Sequence, residues 1–296
     1  MRKLLALLII PAFLVSCGDD DSPTNAALNL TINGLEDLGS TAQYEGWIIV
    51  EGTPVSTGTF TVDGNGALST TSFSASATDI AAATKFVLTI EPIPDPDPAP
   101  ADAKLLAGDF NGTSATLSTG VAPALGDFSN AAGTLFLRTP TDETPGTANN
   151  GNDIYGVWFG SPGMPPTPNF TLPALPAGWA YEGWVIGDAG PISTGTFTEF
   201  GARDGSNSFS GTENNAGPPV PGEDFFNAAP AGETFPLDIR GRRVVISVEP
   251  VPDNSPAPSL LKPLWVELAA DAATAPSTHD FAQNLGTIPT GSVTRQ

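Results

Sequence analysis

Few side chains in this 296-residue chain belong to the types that usually act as nucleophiles or general bases. The chain has one cysteine, Cys17, and one histidine, His279. His279 lies in a stretch rich in Pro, Ser and Thr, and the aligned position in an internal repeat, described below, is Gly126. A general base must be held within hydrogen-bonding reach of the proton that it removes. We therefore expect His279 to have no catalytic role.

Carboxylates are the remaining candidates, since the chain has 32 Asp and Glu residues. Two facing carboxylates form the acid–base pair of most glycoside hydrolases, so a hydrolase with a site between two domains is one hypothesis. The sequence has no nucleophile-elbow, metalloprotease, P-loop or dinucleotide-binding motif. We predict a protein that is not an enzyme, with no catalytic residue, metal or cofactor. Calcium at the Asp- and Asn-rich turns 63–66 and 149–153 stays open, although neither turn has EF-hand spacing.

An internal repeat is the most informative feature of the chain. Residues 44–61, YEGWIIVEGTPVSTGTFT, return at 181–198 as YEGWVIGDAGPISTGTFT, with 12 of 18 positions identical. Residues 86–100 return at 244–258, and a fainter match joins 127–134 to 280–287. The repeat is far longer than a solenoid unit, so each copy is expected to form a domain.

The residues kept in both copies form a repeat signature, which we interpret as structural. It consists of Tyr44, Glu45, Gly46, Trp47 and Glu91 in the first copy and Tyr181, Glu182, Gly183, Trp184 and Glu249 in the second. Tyr and Trp combine a large apolar surface with one polar group, which suits the edge of a sandwich core. The glycines would let bulky groups cross a neighbouring strand. We expect the glutamates to pair with backbone amides or a local base, and binding of a partner's cation is the alternative.

Short β-rich runs alternate with turns throughout the chain. Alternating residues predict that Phe86, Leu88 and Ile90 share an inward face opposite Thr89, and no stretch has sustained helical periodicity. Further strands are predicted at 28–32, 47–50, 57–62, 104–110, 134–138, 154–159, 244–248 and 264–268. The 32 glycines and 30 prolines lie mainly between these runs, as turn residues do. We predict an all-β fold of two tandem immunoglobulin-like β-sandwich domains with Gly/Pro-rich loops.

The predicted organisation begins with a lipoprotein signal peptide at 1–16, in which Arg2 and Lys3 precede an apolar run. Leu14-Val15-Ser16-Cys17 resembles a bacterial lipobox, so we expect lipidation of Cys17, which would anchor the chain stably. An acidic tether at 17–25 resembles the export tracts of some surface lipoproteins. This favours the cell envelope, and the outer membrane (periplasmic face or cell surface) over the inner one. Repeat 1 is predicted at 26–160 and repeat 2 at 161–296, with a loop insertion at about 199–243.

The chain is strongly acidic, with a formal charge of −21 that becomes −23 when Arg2 and Lys3 leave with the signal peptide. Nucleic-acid binding requires basic patches, so we expect no nucleic-acid partner. The basic cluster of Arg240, Arg242 and Arg243 is interpreted as protection against pairing of strand edges. Contact with the membrane is expected through the lipid anchor only.

Both copies share an ordered motif series: W-x-x-x-x-G-x-x-V-S-x-G-x-F, an L-T-I-E-P strand, a P-x-P turn and a K-x-L-x-G strand. In the first copy it comprises Trp47, Gly52, Val55, Ser56, Gly58, Phe60, 88–92, Pro98, Pro100, Lys104, Leu106 and Gly108. In the second copy it comprises Trp184, Ile192, Ser193, Gly195, Phe197, Glu249, Pro250, Pro256, Pro258 and Lys262. The series resembles the C-terminal domain of anti-sigma-K factors, which implies an extracytoplasmic β-sandwich without catalysis. In that family a membrane helix and a cytosolic sigma-binding domain come first. Only sixteen residues precede Cys17, so no direct sigma factor binding is expected.

The resulting hypothesis is a lipid-anchored cell-envelope protein that acts as a non-catalytic interaction or sensory module for an unknown envelope protein. One alternative is a glycan- or peptide-binding surface on the insertion, with exposed Phe225, Phe226, Trp158 or Trp179 as its platform. The hydrolase is the second alternative.

Overall fold

The structure is a computed structural model that describes residues 24–144, 149–214, 216–253 and 255–296. Strands make up 39% of it and helices 6%, which confirms the predicted all-β class. All strand pairs in these ranges are antiparallel. The predicted signal peptide, Cys17 and nearly all of the acidic tether lie outside the described residues.

Seventeen strands, numbered in chain order, make up the sheets of the described chain: β1 (Asn25–Asn33), β2 (Ala42–Val50), β3 (Thr53–Phe60), β4 (Ser72–Ser76), β5 (Lys85–Pro92), β6 (Lys104–Asp109), β7 (Ser114–Leu117), β8 (Thr134–Leu137), β9 (Gly156–Phe159), β10 (Trp179–Ile186), β11 (Pro191–Phe197), β12 (Gly222–Asp224), β13 (Arg243–Pro250), β14 (Leu264–Glu267), β15 (His279–Asp280), β16 (Ala282–Gln283) and β17 (Thr290–Arg295). One α-helix, α1 (Ala77–Ala82), and 3₁₀ turns at Pro140–Asp142, Asp153–Tyr155 and Leu285–Thr287 complete the described elements.

The strands form four sheets, which we group into two pairs. The first sheet pair has the strand orders β4-β1-β17-β7 and β3-β2-β5-β6, and the second has β12-β9-β8-β15 and β11-β10-β13-β14-β16. Aromatic rings join the sheets of each pair. The ring centroids of Phe60 (β3) and Phe73 (β4) are 5.8 Å apart, and those of Phe159 (β9) and Phe197 (β11) are 6.2 Å apart. Buried residues of both pairs belong to one large apolar cluster, so the molecule is β-sandwich-like.

The two sheet pairs repeat one strand order. β4-β1-β17-β7 corresponds by position to β12-β9-β8-β15, and β3-β2-β5-β6 corresponds to β11-β10-β13-β14. In each case, the second strand of the first-named sheet is followed along the chain by the hairpin that opens the other sheet. The internal repeat of the sequence therefore has a counterpart in the sheet order.

The sheets do not follow the division predicted between residues 160 and 161. Strands β8 and β9 lie before that point, but they pair with β15 and β12, which lie after it. In the opposite direction, β17 pairs with β1 and β7. There are two physical reasons: β9 is the counterpart of β1 and begins the second pair before residue 160, and one inner position in each pair is filled by a strand that follows the other copy.

The strand predicted at 86–91 is confirmed as β5, and its inward side chains Phe86 and Leu88 have no exposed surface. Thr89, expected on the less buried side, is also fully buried. The cause is Trp47 on the neighbouring strand, whose indole covers that face of the sheet and packs with Val87, Ala107 and Ala124.

Helix α1 was not predicted, because the stretch around Asp79–Ala83 is too short to show a periodicity. Its start is fixed by Ser76, whose hydroxyl accepts a hydrogen bond from the amide of Asp79 at 3.4 Å. Ile80 anchors the helix in the core with 2% exposure. A distant residue caps its other end: Arg295 donates to the carbonyls of Ile80 and Ala81 at 2.7 and 3.1 Å.

Candidate functional site

The repeat signature gathers on two neighbouring strands in each sheet pair. Glu45 on β2 lies opposite Thr89 on β5, and Gln43 lies opposite Glu91. In the second pair, Glu182 on β10 lies opposite Ser247 on β13, and Ala180 lies opposite Glu249. Residues two apart on a strand share a face. The two glutamates and the tryptophan of each signature therefore lie on the same side of their sheet.

The signature tyrosines anchor the segments that lead into β2 and β10. The hydroxyl of Tyr44 donates to the carbonyl of Glu36 at 3.0 Å, and that of Tyr181 donates to the carbonyl of Pro173 at 2.6 Å. Both bonds reach eight residues back along the chain, and both rings are 1% exposed. Burial raises the pKa of both hydroxyls. These tyrosines therefore stay protonated and act as donors within the fold.

The signature tryptophans lie on the opposite side of the sheet from the tyrosines. The indole N–H of Trp47 donates to the hydroxyl of Thr89 at 2.9 Å, and that of Trp184 donates to the hydroxyl of Ser247 at 2.8 Å. Both indoles are almost completely buried. A buried donor without a partner costs free energy, so the hydroxyl at this position of β5 and β13 has a clear structural purpose.

Gly46 and Gly183 are required by close contacts rather than by backbone dihedral angles. A Cβ atom on Gly46 would lie 2.7 Å from the hydroxyl oxygen of Thr57 and 2.8 Å from the ring of Phe86. On Gly183 it would lie 2.3 Å from the hydroxyl of Thr194 and 2.4 Å from the ring of Phe159. In both strands the register shifts directly after the glycine, as at a β-bulge.

The first signature glutamates each accept a hydrogen bond from a serine on the adjacent strand. Ser56 donates to Glu45, and Ser193 donates to Glu182. Burial raises the pKa of Glu45, and it raises that of Glu182 to about 7, with Glu249 and Asp253 adding to the effect. The second carboxylate oxygen of Glu182 is buried without a hydrogen-bond partner.

The second signature glutamates hold the turn that follows their strand. Glu91 accepts from the amide of Ala101 at 2.9 Å and from the hydroxyl of Thr89. Glu249 accepts from the amide of Ser259 at 3.0 Å. Burial raises the pKa of Glu249 to about 7. The expected contact of these carboxylates with turn amides is therefore present in both copies.

A second group of carboxylates, not predicted from the sequence, lies in the insertion. Asp224 on β12 accepts from the indole of Trp158 and from the amide of Thr141, both at 2.8 Å. Burial raises the pKa of Asp224 to about 8 and that of Asp204 to about 7. Thr141 and Asp224 are 83 residues apart, so no local pattern in the sequence indicates this contact.

The insertion also forms a surface groove, which we call the insert groove. It consists of two neighbouring hollows of about 360 and 290 Å³ that share Arg203, Asp204 and Gly205. The carboxylate of Asp204 accepts from the amides of Gly222 and Ser206 at 2.8 and 3.1 Å. Arg203 is exposed and donates through Nε to the carbonyl of Gly217 at 3.0 Å. The first copy has no segment equivalent to most of this insertion.

The aromatic platform considered for ligand binding is not exposed. Trp158, Trp179 and Phe225 are between 0 and 3% exposed, and Phe226 is half-buried against Tyr155. The prediction of exposed aromatic rings at these positions is therefore wrong. The rings fill the interior because the insertion folds back onto β9 through β12.

The remaining chemical candidates are engaged in local contacts. The ring Nε2 of His279 lies 2.9 Å from the carbonyl oxygen of Ala273. Each arginine of the basic cluster pairs with a carboxylate: Arg240 with Asp238, Arg242 with Asp188, and Arg243 with Glu267. The turn at 63–66 is closed by Asp63, which accepts from two backbone amides at 2.9 Å. Within the described ranges, no group of three or more His, Cys, Asp or Glu side chains is arranged to hold a metal ion.

None of the helices in the described part of the chain is long and apolar enough to span a membrane. A scan against models of protein families found no match to this sequence, and searches of curated proteins and of solved structures also found none. The residue contacts described above are therefore the basis for any functional conclusion.

Proposed function

We propose that this chain is a lipid-anchored cell-envelope protein whose two sheet pairs form a non-catalytic scaffold for interaction or sensing. One observation supports the proposal: the side chains that both copies share are buried and form hydrogen bonds within their own copy. Trp47 and Trp184 bind hydroxyls of the next strand, and Glu91 and Glu249 bind turn amides. Side chains engaged in this way support a scaffold. On this proposal, recognition depends on surfaces that differ between the copies.

The proposal includes the finer description of the fold. The two sheet pairs would be tandem copies of one immunoglobulin-like sandwich, each resembling the extracytoplasmic domain of anti-sigma-K factors. Support comes from the internal sequence repeat and from the matching strand orders of the two pairs. The anchor would be the lipid on Cys17, placed in the outer membrane, without contact to nucleic acid or sigma factor.

The insert groove is the surface that we assign to partner binding, because it is built by the segment that only the second copy has. Its wall is mixed, with Arg203, Asp204 and Asn207 among the polar lining residues and Phe197 and Val220 among the apolar ones. A wall of this kind can combine hydrogen bonds with apolar contacts to a protein or peptide segment. Burial of the candidate aromatic rings removes the main support for a glycan platform.

Site-specific photocrosslinking in cells tests this assignment. A photoreactive residue at Ala202, on the insert groove, is compared with one at Asn65, an exposed turn position in the first copy. We expect a discrete crosslinked product from position 202 and none from position 65. An excess of soluble Cys17→Ser protein should compete with formation of the product. Equal products from both positions, or only lipid and abundant porins, would contradict the proposal.

Anchoring is tested separately by cell fractionation. Replacing Cys17 by Ser should release the protein from membranes into the soluble envelope fraction, because acyl chains supply the membrane affinity. Retention of the Cys17→Ser protein in the membrane fraction would contradict the lipid anchor.

A further inference from the structure

Strand β17 occupies an inner position in a sheet whose other strands come from the opposite end of the described chain. It pairs with β1 over six residues, from Leu28↔Arg295 to Asn33↔Thr290, and with β7 over four. Because β17 lies between β1 and β7 in the sheet order, these two strands do not pair with each other. Without β17, both would present unpaired backbone edges, which readily accept another strand.

The corresponding position in the second sheet pair is filled by β8. That strand follows β7 along the chain, so the first copy passes its following strand forward to the second sheet pair. Strand β17 follows the second copy in the same way but returns to the first sheet pair. Each sheet pair is therefore completed by a strand that follows the other pair's copy along the chain: β8 completes the second pair and β17 completes the first.

The strand pairing of β17 and the side-chain hydrogen bonds of Arg295 are made with the first sheet pair and its loops. Val293 is the one side chain of this strand that is fully buried. Arg295 donates through Nη1 to the carbonyl of Ala83 at 3.0 Å, in addition to its bonds with α1, and through Nη2 to the carbonyl of Gly112 at 2.7 Å. Its guanidinium also lies 4.6 Å from the ring centroid of Phe110. A β17 strand from another molecule would make the same contacts.

The connection between β17 and the second sheet pair is very short. Thr287 is tied to that pair through its hydroxyl, which accepts from the amide of Lys262 at 3.2 Å and donates to the carbonyl of Asn284 at 2.8 Å. Only Ile288 and Pro289 separate Thr287 from the first residue of β17. Short connections at a hinge favour exchange of an element between molecules.

We propose that β17 is a donor strand that copies of this chain exchange, so that β17 of one molecule completes the first sheet pair of another. The partner is a second copy of this chain. Its β17 would be bound by the backbone edges of β1 and β7, and its Arg295 by the carbonyls of Ala83 and Gly112 and the ring of Phe110. Reciprocal exchange between two molecules closes a dimer, whereas one-way donation continues into rings or open head-to-tail chains. The closed monomer and the exchanged form share the same contacts, and their ratio depends on concentration.

Disulfide trapping between two single-cysteine variants tests the exchange. Both are made in the Cys17→Ser background, one with Thr31→Cys on β1 and one with Ser292→Cys on β17, which are directly paired positions. The variants carry tags of different mass and are produced in the same cell, so that they fold together. We expect a disulfide-linked heterodimer whose yield rises with expression level.

Two controls make every outcome decisive. Ser292→Cys produced together with Asn65→Cys, an exposed turn position, gives the level of random collision. The double variant Thr31→Cys/Ser292→Cys in one chain should form an internal disulfide and show that the register is correct. If that internal disulfide forms but the heterodimer does not exceed the collision level, β17 stays within its own molecule and the proposal fails. If the internal disulfide does not form, the pairing of β1 with β17 fails and the proposal fails with it.

Discussion

The two sheet pairs have the same strand order but differ in one connecting segment, which joins β3 to β5 in the first pair and β11 to β13 in the second. In the first pair, residues 61–84 cross this gap with β4 and the short helix α1. In the second pair, residues 198–242 cross it with β12 and long loops that form the insert groove. The residues of the repeat signature make the same hydrogen bonds in both pairs, whereas the segment between β3 and β5 differs in length and structure from the segment between β11 and β13. Differences in function between the pairs should therefore arise from the crossing segment.

Equivalent framework positions are nevertheless not equal in their surroundings. The glycine contacts are tighter in the second pair, where Phe159 of the facing sheet approaches Gly183 to 2.4 Å from a hypothetical Cβ. The second pair also carries the additional buried acids Glu223 and Asp224 and the half-buried Asp204.

Replacing Val293 by Asp should destabilise the first sheet pair more than the second, because Val293 lies on β17. The valine has no exposed surface and lies between Leu30 and Ala115 on the neighbouring strands. An unpaired buried charge is strongly destabilising, so we expect a loss of ~3 kcal/mol or more. Hydrogen exchange read by mass spectrometry should show earlier loss of protection in β1 than in β9. Thr294→Asp, on the exposed side of the same strand, is the control and should change little; equal effects of both would argue against the central place of β17.

Replacing either signature tryptophan by Ala should show that the framework is used equally in both pairs. Trp47 and Trp184 are similarly buried and each loses one indole hydrogen bond. Truncation of a buried tryptophan costs ~3–5 kcal/mol, and we expect both variants to fall in this range in urea unfolding. Trp→Phe variants keep most of the ring but leave Thr89 or Ser247 without its donor, so they should lose ~1–3 kcal/mol. A neutral result at one site would show that its signature is not structural.

Replacing each signature glycine by Ala should reveal the tighter packing of the second pair. The new methyl group would approach Thr194 and Phe159 more closely at Gly183 than Thr57 and Phe86 at Gly46. Overpacking typically costs ~1–3 kcal/mol, and we expect Gly183→Ala to lie near the upper end and Gly46→Ala near the lower. Thermal unfolding of the two variants side by side measures the order. The reverse order would contradict the described difference between the pairs.

Replacing Glu249 by Gln should reduce the loss of folding stability at neutral to alkaline pH that ionisation of this buried carboxyl causes. Burial raises the folded-state pKa of Glu249 to about 7, well above the ordinary value of a glutamate. The folded state therefore binds more protons than the unfolded state in this range, and stability falls as pH rises through it. Gln keeps an oxygen for the amide of Ser259 and has no proton to lose. The variant should therefore recover roughly 1–3 kcal/mol at pH 8 and little at pH 5, measured by urea unfolding.

Glu199→Gln is the matched control for Glu249→Gln. It removes the same formal charge from an exposed position in the second copy. If it changes the pH dependence as much as Glu249→Gln does, the effect reflects net charge and not burial of the signature glutamate.

The sequence allowed prediction of the strands because period-two patterns and turn residues act locally. The predicted strands around Phe86 and Leu264 lie close to the bounds of β5 and β14, whereas the strand predicted from Trp47 begins five residues earlier, at Ala42. The repeat also identified the side chains that make the interstrand bonds, since residues that recur at equal spacing keep equal partners. Contacts of Glu91 and Glu249 with turn amides were predictable because both carboxylates come directly before a proline turn.

Long-range pairing could not be predicted from local patterns. Strand β17 has the composition of an ordinary short strand, and nothing within residues 290–295 indicates that its partner is β1. Helix α1 depends on Arg295, more than 200 residues away, for part of its capping. The acidic group around Asp224 depends on Thr141, so its burial becomes visible only when the insertion and the segment before β9 are placed together.

The return of β17 to the first sheet pair has a consequence for the order in which the molecule can mature. Strands made early, such as β1 and β7, wait for their neighbour until residues 290–295 have been synthesised. A product that stalls or is clipped before that point would keep open strand edges in its early half, where proteases and chaperones could recognise it. Protection of β1 and β7 from proteolysis therefore depends on completed synthesis of residues 290–295.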